Sequence, residues 1–106
     1  MINNYTNYTQ VAINVERVKS LSKLIRACKK EGVEIDKVFF YQNGFTVTFK
    51  GMNGDAILHD GSYGRETYSW ETIGMPWDYD DVSVHTAKEL AMLLGQLKRG
   101  EWKEEE

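Results

Sequence analysis

The spacing of apolar residues predicts an amphipathic helix near the beginning of the chain. Its apolar residues recur at steps of three or four, which places them on one face of an α-helix. Asn14 before the helix is a suitable N-cap, and Gly32 after it is a suitable terminator. The predicted apolar face consists of Val15, Val18, Leu21, Leu24, Ile25 and Cys28.

The same spacing predicts a second helix near the end of the chain. Thr86 and Glu89 match a T-x-x-E capping box, in which each side chain accepts a hydrogen bond from the other residue's backbone N–H. Gly100 is expected to end this helix. Its predicted apolar face consists of Ala87, Leu90, Ala91, Leu94 and Leu97.

Between the helices the pattern changes to short alternating segments, which are typical of β-strands. The segments 37–41 and 45–49 flank Asn43-Gly44, the dipeptide that most readily forms a type I′ hairpin turn. With these two residues as the loop, Phe40 lies opposite Val47. One face of the hairpin then carries the predicted core residues Val38, Phe40, Phe45, Val47 and Phe49.

A turn at 51–54 leads to a third predicted strand at 55–60, and a fourth is expected around 67–73, before Pro76. A turn of two or four residues adds Ala56 and Leu58 to the core face, whereas a turn of three would reverse the facing. The opposite face is expected to show Phe39, Tyr41, Thr46, Thr48, Ile57 and His59.

These elements predict an α+β fold in the order α-β-β-β-(β)-α. We expect a two-layer sandwich, with an antiparallel three- to four-stranded sheet and two helices on one face. Residues 14–100 would form a single domain. Residues 1–13 would be a loose N-terminal segment or an edge strand, and residues 101–106 an acidic tail.

Composition narrows the function classes. The 106 residues include 13 Lys and Arg against 16 Asp and Glu, a net charge of −3, whereas general nucleic-acid binders are usually basic. No apolar run approaches the roughly 20 residues that span a bilayer, so no membrane partner is expected. The single cysteine, Cys28, forms no internal disulfide and is expected to be a buried apolar residue, which favours a reducing, cytoplasmic location.

Charge is unevenly distributed along the chain. Residues 14–37 carry seven positive and four negative side chains, and residues 51–86 carry one positive and seven negative. A charged helix face is most often only a solvated face. Four positive residues of the first helix nevertheless fall in one narrow stripe, which is a candidate contact surface for nucleic acid: Lys19, Lys23, Arg26 and Lys30.

The acidic segment interleaves carboxylates with aromatic rings, most densely in MPWDYDDVSVHT at 75–86. Tyrosine and tryptophan dominate interface energetics, and carboxylates steer a basic partner, although some of these rings must fill the core instead. We therefore predict binding of a protein partner with a basic surface. The predicted contact residues are Trp77, Asp78, Tyr79, Asp80, Asp81, Trp70 and Tyr63.

Candidate catalytic and metal-binding groups are sparse. Asp78, Asp80, Asp81 and His85 are suitable ligand types for a divalent cation, but their spacing matches no dedicated metal-binding loop. The glycines at 51–54 and 61–64 belong to turns, because neither group has the pattern of a phosphate-binding loop. No catalytic residue, metal or cofactor is predicted, and the protein is expected not to be an enzyme.

The element order resembles that of a double-stranded-RNA-binding domain, and VSVHTAKELA at 82–91 falls where that family begins its second helix. The family presents a lysine cluster there, whereas this chain has only Lys88 behind three aspartates, so RNA binding is not carried over. In size and composition the chain is similar to accessory proteins of phages and mobile elements. Some of these inhibit CRISPR effectors by covering a basic nucleic-acid channel with carboxylates.

The sequence therefore predicts a non-catalytic protein-binding accessory module, with an anti-CRISPR type of inhibitor as its specific form. The first alternative is a small RNA- or DNA-binding domain that uses the basic stripe of the first helix. The second is a small metal-dependent enzyme.

Overall fold

The computed structural model describes residues 14–79 and 81–104. Within them, the chain forms a helix, then the five strands of one antiparallel sheet, then a second helix. The strands lie side by side in the same order as in the sequence. The predicted α+β sandwich is confirmed, although the sheet has five strands, while the prediction for residues 1–13 lies outside the described part. The elements are α1 (Val15–Glu31), β1 (Ile35–Tyr41), β2 (Gly44–Phe49), β3 (Asp55–Leu58), a 3₁₀-helix (Arg65–Thr67), β4 (Trp70–Ile73), β5 (Ser83–His85) and α2 (Ala87–Lys98).

The helix ends follow the predicted local chemistry. Asn14 Oδ1 accepts hydrogen bonds from the backbone N–H groups of Glu16 and Arg17, at 2.9 and 3.2 Å. Gly32 adopts a φ of 75°, in the left-handed region that glycine enters without steric cost. Both halves of the capping box of Thr86 and Glu89 are formed. Helix α2 ends at Lys98, two residues before the predicted terminator.

The predicted loop of the first hairpin is wrong by one residue. Gln42 and Asn43 occupy the turn, with φ values of 47° and 57°, and Gly44 belongs to β2. A Cβ at Gly44 would lie 1.9 Å from the Leu58 carbonyl oxygen. This glycine therefore allows β3 to approach β2 closely, and it is not one of the turn residues. Phe40 therefore pairs with Phe45, two residues from its predicted partner, and this even shift preserves the facing.

The core lies between the helices and one sheet face, and it contains most of the residues predicted for it. In the sheet, Val38 and Phe40 are the exceptions, since they point toward the helix side but remain 43% and 53% exposed. The main helix–sheet contacts join α1 to β2 and α2 to β5, so the edge strand β1 projects beyond the helices. The buried members include Phe45, Val47, Phe49, Ala56, Leu58, Leu24, Cys28, Leu90, Ala91 and Leu94.

Three further differences from the prediction concern exposure and strand length. Val15 and Ile25 of the predicted apolar helix face are exposed, because they flank the buried stripe rather than lie within it. Strand β4 begins at Trp70, after the 3₁₀-helix, rather than near residue 67. Strand β5 was not predicted, because a segment of three residues cannot be told from a loop in the sequence. In the structure, His85 of β5 pairs with Trp70 of β4.

The C-terminal ends of the two helices contact each other directly. A Cβ at Gly95 of α2 would lie 2.6 Å from Glu31 Oε1 of α1. Arg99 Nη1 pairs with the same oxygen at 3.3 Å, and Lys98 donates to the Gly32 carbonyl. A groove between the helices runs along α1 from Glu16 to Glu31, and the first two turns of α2 form its other side.

Candidate functional site

The acidic and aromatic stretch from 75 to 86 is largely engaged in holding its own loop. Asp78 Oδ1 accepts hydrogen bonds from Thr72 Oγ1 at 3.1 Å and from Ser83 Oγ. Asp78 Oδ2 accepts a third bond, from the Met75 N–H at 3.2 Å. Because Thr72 lies on β4 and Ser83 on β5, this carboxylate connects both strands to the loop between them.

Two of the predicted contact tryptophans are also internal. Trp70 is fully buried, because it lies on the helix-facing side of β4, and its Nε1–H donates to Ser20 Oγ of α1 at 3.0 Å. Trp77 is half-buried and donates to Thr72 Oγ1 at 3.0 Å. Its ring lies edge-on to His85 and Trp102, with centroids 6.0 and 6.1 Å away.

The remaining predicted contact residues are exposed but lie on different loops. Tyr63, in the β3–β4 connection, is 66% exposed, and Tyr79, in the β4–β5 loop, is 61% exposed. Asp81 is exposed in the same loop, and Asp80 lies outside the described residues. Trp70 is therefore excluded from any outward-facing surface, and the other five described residues lie on two different loops.

A serine–histidine contact occurs at β5, but its hydrogen bonding does not suit nucleophilic catalysis. Ser83 Oγ lies 2.7 Å from His85 Nε2, while the single hydroxyl proton is donated to Asp78. His85 Nε2 must then carry the proton of this contact, so it does not act as a base toward Ser83. Burial, the main cause, lowers the pKa of His85, and the carboxylates of Asp78 and Glu89 oppose that shift.

Metal ligation and thiol chemistry receive no support from the side-chain positions. Within residues 14–79 and 81–104, no group of three or more His, Cys, Asp or Glu side chains is arranged to hold a metal ion. Burial, aided by Glu31, raises the pKa of Cys28 to about 12, so its thiol is protonated at neutral pH. A protonated, buried thiol is a poor nucleophile.

The basic stripe of α1 lines one wall of the groove between the helices. Lys19, Lys23, Arg26 and Lys30 are all exposed there, as the helical spacing predicts. The opposite wall comes from the first two turns of α2 and includes Lys88. The groove has a volume of about 1150 Å³, and its lining also includes Tyr68, Ala27, Ala91, Met92, Glu16 and Glu31.

The second exposed feature is strand β1, of which Val38 and Phe40 were predicted to lie in the core. Val38, Phe39, Phe40 and Tyr41 are between 43% and 57% exposed, so both faces of this edge strand present large apolar side chains. Phe40 rests on Phe45, with ring centroids 6.2 Å apart. Four consecutive apolar residues do not show the alternation of apolar and polar residues that is typical of a half-buried strand. Whether these residues are exposed depends on where the helices lie.

Comparison with known proteins identifies no relative. The chain matches no protein-family model, no curated protein and no solved structure. Neither of the two described helices is both long and apolar enough to span a bilayer. Function therefore has to be argued from the groove and from strand β1.

Proposed function

We propose that the protein is a non-catalytic protein-binding module whose contact surface is the edge strand β1. The observation that carries this proposal is the exposure of four consecutive apolar side chains, Val38 to Tyr41. Scattered exposed apolar residues are normal, whereas contiguous ones mark interaction sites. Aromatic residues are also enriched among those that dominate binding energy.

The backbone of β1 supports the same function. Among residues 14–79 and 81–104 the strand has a neighbour on one side only, β2, so every second residue directs its N–H and C=O away from that neighbour. Tyr41 and Gly44 close the two-residue turn and form a hydrogen-bonded pair in such hairpins. Counting back from this pair, Val38 and Phe40 have outward-directed backbone groups. An extended segment of a partner can add to this edge as a sixth strand.

The exposed side chains suit such an added strand on both sides. Phe39 and Tyr41 lie on the sheet face without helices, and Val38 and Phe40 lie on the other. An added strand would therefore contact an apolar side chain of β1 on each face. Edge strands that avoid such pairing usually carry charged residues, proline or a bulge. Strand β1 has Asp36, Lys37 and a register irregularity at its beginning, whereas Val38–Tyr41 contains no charged residue and no proline.

The inhibitor form of the proposal depends on an acidic-aromatic surface. Of its predicted residues, Tyr63, Tyr79 and Asp81 are exposed, whereas Trp70 is in the core and Asp78 is bonded to its own loop. We therefore place the partner contact on β1 and leave open which class of protein is bound.

The experiment is site-specific photo-crosslinking in cells that naturally contain the protein. A benzophenone amino acid replaces Phe39, and in a control it replaces Tyr63, which is exposed on another loop. We expect a discrete crosslinked partner from position 39 and none from position 63. The same adducts from both positions, or none from position 39, would argue against β1 as the contact surface.

A further inference from the structure

We infer that the groove between α1 and α2 binds an acidic amphipathic helix of a partner protein. This surface is separate from strand β1, and the inference does not depend on the function proposed for that strand. It rests on the charges along the groove, on its apolar floor and on its length.

The positive charges of the groove are available to a ligand. Lys23, Arg26, Lys30 and Lys88 form no ion pair within residues 14–79 and 81–104. Lys19 is the exception, since its Nζ lies 3.2 Å from Glu16 Oε2. Four unpaired cations around one groove attract a negatively charged partner and oppose a basic one.

The apolar floor of the groove lies beside the cations of α1 and Lys88 of α2, and the hydroxyl groups of Ser20, Thr67, Ser69 and Thr86 also line the groove. It includes Ala27 of α1 and Ala91 of α2, beside Met92 and Tyr68, which are 44% and 37% exposed. Small residues at the floor admit the side chains of a third helix, and methionine adapts to the shape of an apolar partner. A helix with leucine-like residues on one face and glutamates beside them matches this arrangement.

The length of the groove fits a short helix. Lys19 and Lys30 are eleven residues apart on α1, which corresponds to about 16 Å, or roughly three helical turns. Three turns of a partner helix provide two or three glutamates at the spacing of Lys23, Arg26 and Lys30.

Several features favour a polypeptide over nucleic acid as the occupant. Glu16 and Glu31 line the same groove, near its two ends, and would face the phosphates of any duplex that continued past it. The net charge of −3 opposes a long polyanion more strongly than a peptide with two or three glutamates, because the repulsion grows with the charge of the ligand.

The test uses fluorescence anisotropy with three probes and the full-length chain. The first is a labelled amphipathic peptide of about 14 residues, long enough for roughly 21 Å of helix, with leucines on one face and glutamates on its flanks. The second has the same residues in scrambled order, and the third is an RNA duplex of about 16 base pairs. We expect the amphipathic peptide to bind at least about tenfold more tightly than either of the others.

Variants then locate the binding surface. K23E combined with R26E is expected to weaken peptide binding by about tenfold or more, and Met92→Ser is expected to weaken it severalfold. Lys29→Glu, on the same helix but outside the groove, is the matched control and should leave affinity unchanged. Phe39→Ser on β1 should also leave it unchanged, which separates this inference from the proposed function.

Each contrary result overturns the inference. Tighter binding of the RNA duplex, lost in the K23E and R26E variant, would make the groove a nucleic-acid surface. Equal binding of the ordered and scrambled peptides would reduce it to a non-specific attraction between charges. Binding of none of the probes, or an equal loss with Lys29→Glu, would remove the groove as a binding site.

Discussion

Arg17 and Asp60 join three parts of the fold through one buried guanidinium. Arg17 Nη1 donates to Asp60 Oδ1 at 2.7 Å and to the Asn43 carbonyl oxygen at 2.9 Å. Arg17 lies in the first turn of α1, Asp60 follows β3, and Asn43 is in the β1–β2 turn. The strand proposed as the binding surface is therefore attached to the helix layer at its tip.

Replacing Arg17 by alanine should destabilise the fold. The Arg17 side chain is only 10% exposed, and its loss leaves the Asn43 carbonyl and Asp60 without their shared donor. We expect a loss of about 2 kcal/mol in the free energy of unfolding, measured by urea denaturation. Lys19→Ala removes an exposed pair with Glu16 and should cost less than about 1 kcal/mol. Equal losses in the two variants would contradict a structural role for the Arg17 contacts.

Replacing Ser20 by alanine should destabilise the contact between α1 and the sheet. Ser20 Oγ accepts the Trp70 Nε1–H at 3.0 Å and donates to the Tyr68 carbonyl oxygen at 2.7 Å. Without it, a fully buried indole N–H has no acceptor, at a cost of about 1–3 kcal/mol. Ser22→Ala, the same change at a half-buried position of α1, is the control in thermal denaturation. A similar fall in Tm in both variants would contradict this account.

Stability should decrease on acidification because of His85. In the unfolded chain a histidine titrates near its ordinary pKa of about 6.5, and burial lowers the pKa of His85 in the fold. The folded state then binds fewer protons, so this contribution to stability is complete above about pH 6.5 and is lost as the pH falls through the lowered pKa.

The comparison that isolates this effect is His85→Gln, which retains an N–H donor toward Ser83 but does not titrate. Between about pH 7 and pH 5, the Tm of the wild type should fall by more than that of the variant. Asp78 and Glu89, the carboxylates that act on His85, remain in both proteins. Parallel decreases in Tm would show that other groups are responsible.

Proline substitutions should distinguish the residues of β1 whose N–H groups pair with β2 from those whose N–H groups point away from it. Val38→Pro removes an N–H that points away from β2, so we expect it to cost less than about 1 kcal/mol of stability. Phe39→Pro removes a ladder donor toward Thr46 and should cost more than about 1 kcal/mol. Thermal denaturation measures both changes. The opposite ranking would mean that the outward-directed residues have been wrongly assigned.

Val38→Pro also connects this prediction with the proposed function. It removes one outward backbone donor from the edge but leaves Phe39 and Tyr41 in place. If a partner adds a strand to β1, crosslinking from a benzophenone at position 39 should decrease in a folded Val38→Pro background. Undiminished crosslinking would mean that the partner binds the side chains without pairing to the strand edge.

The sequence by itself determined the features that depend on neighbouring residues. Asn14, Gly32 and the capping box of Thr86 and Glu89 act within about one helical turn, so their roles follow from local hydrogen bonding. The alternation in β2 and β3 likewise placed Val47 and Leu58 in the core. The α1 stripe of cations followed from helical periodicity alone.

Only the tertiary structure decided which apolar residues are covered and which charges meet. Phe40 and Phe45 share a sheet face, yet one is exposed and the other buried, because the helices extend over β2 and leave β1 at the edge. The groove forms because packing brings Lys88 of α2 to the cations of α1, more than fifty residues away. Trp70 and Tyr63 are both aromatic residues in the acidic segment, and their different burial depends on long-range packing that local sequence does not encode.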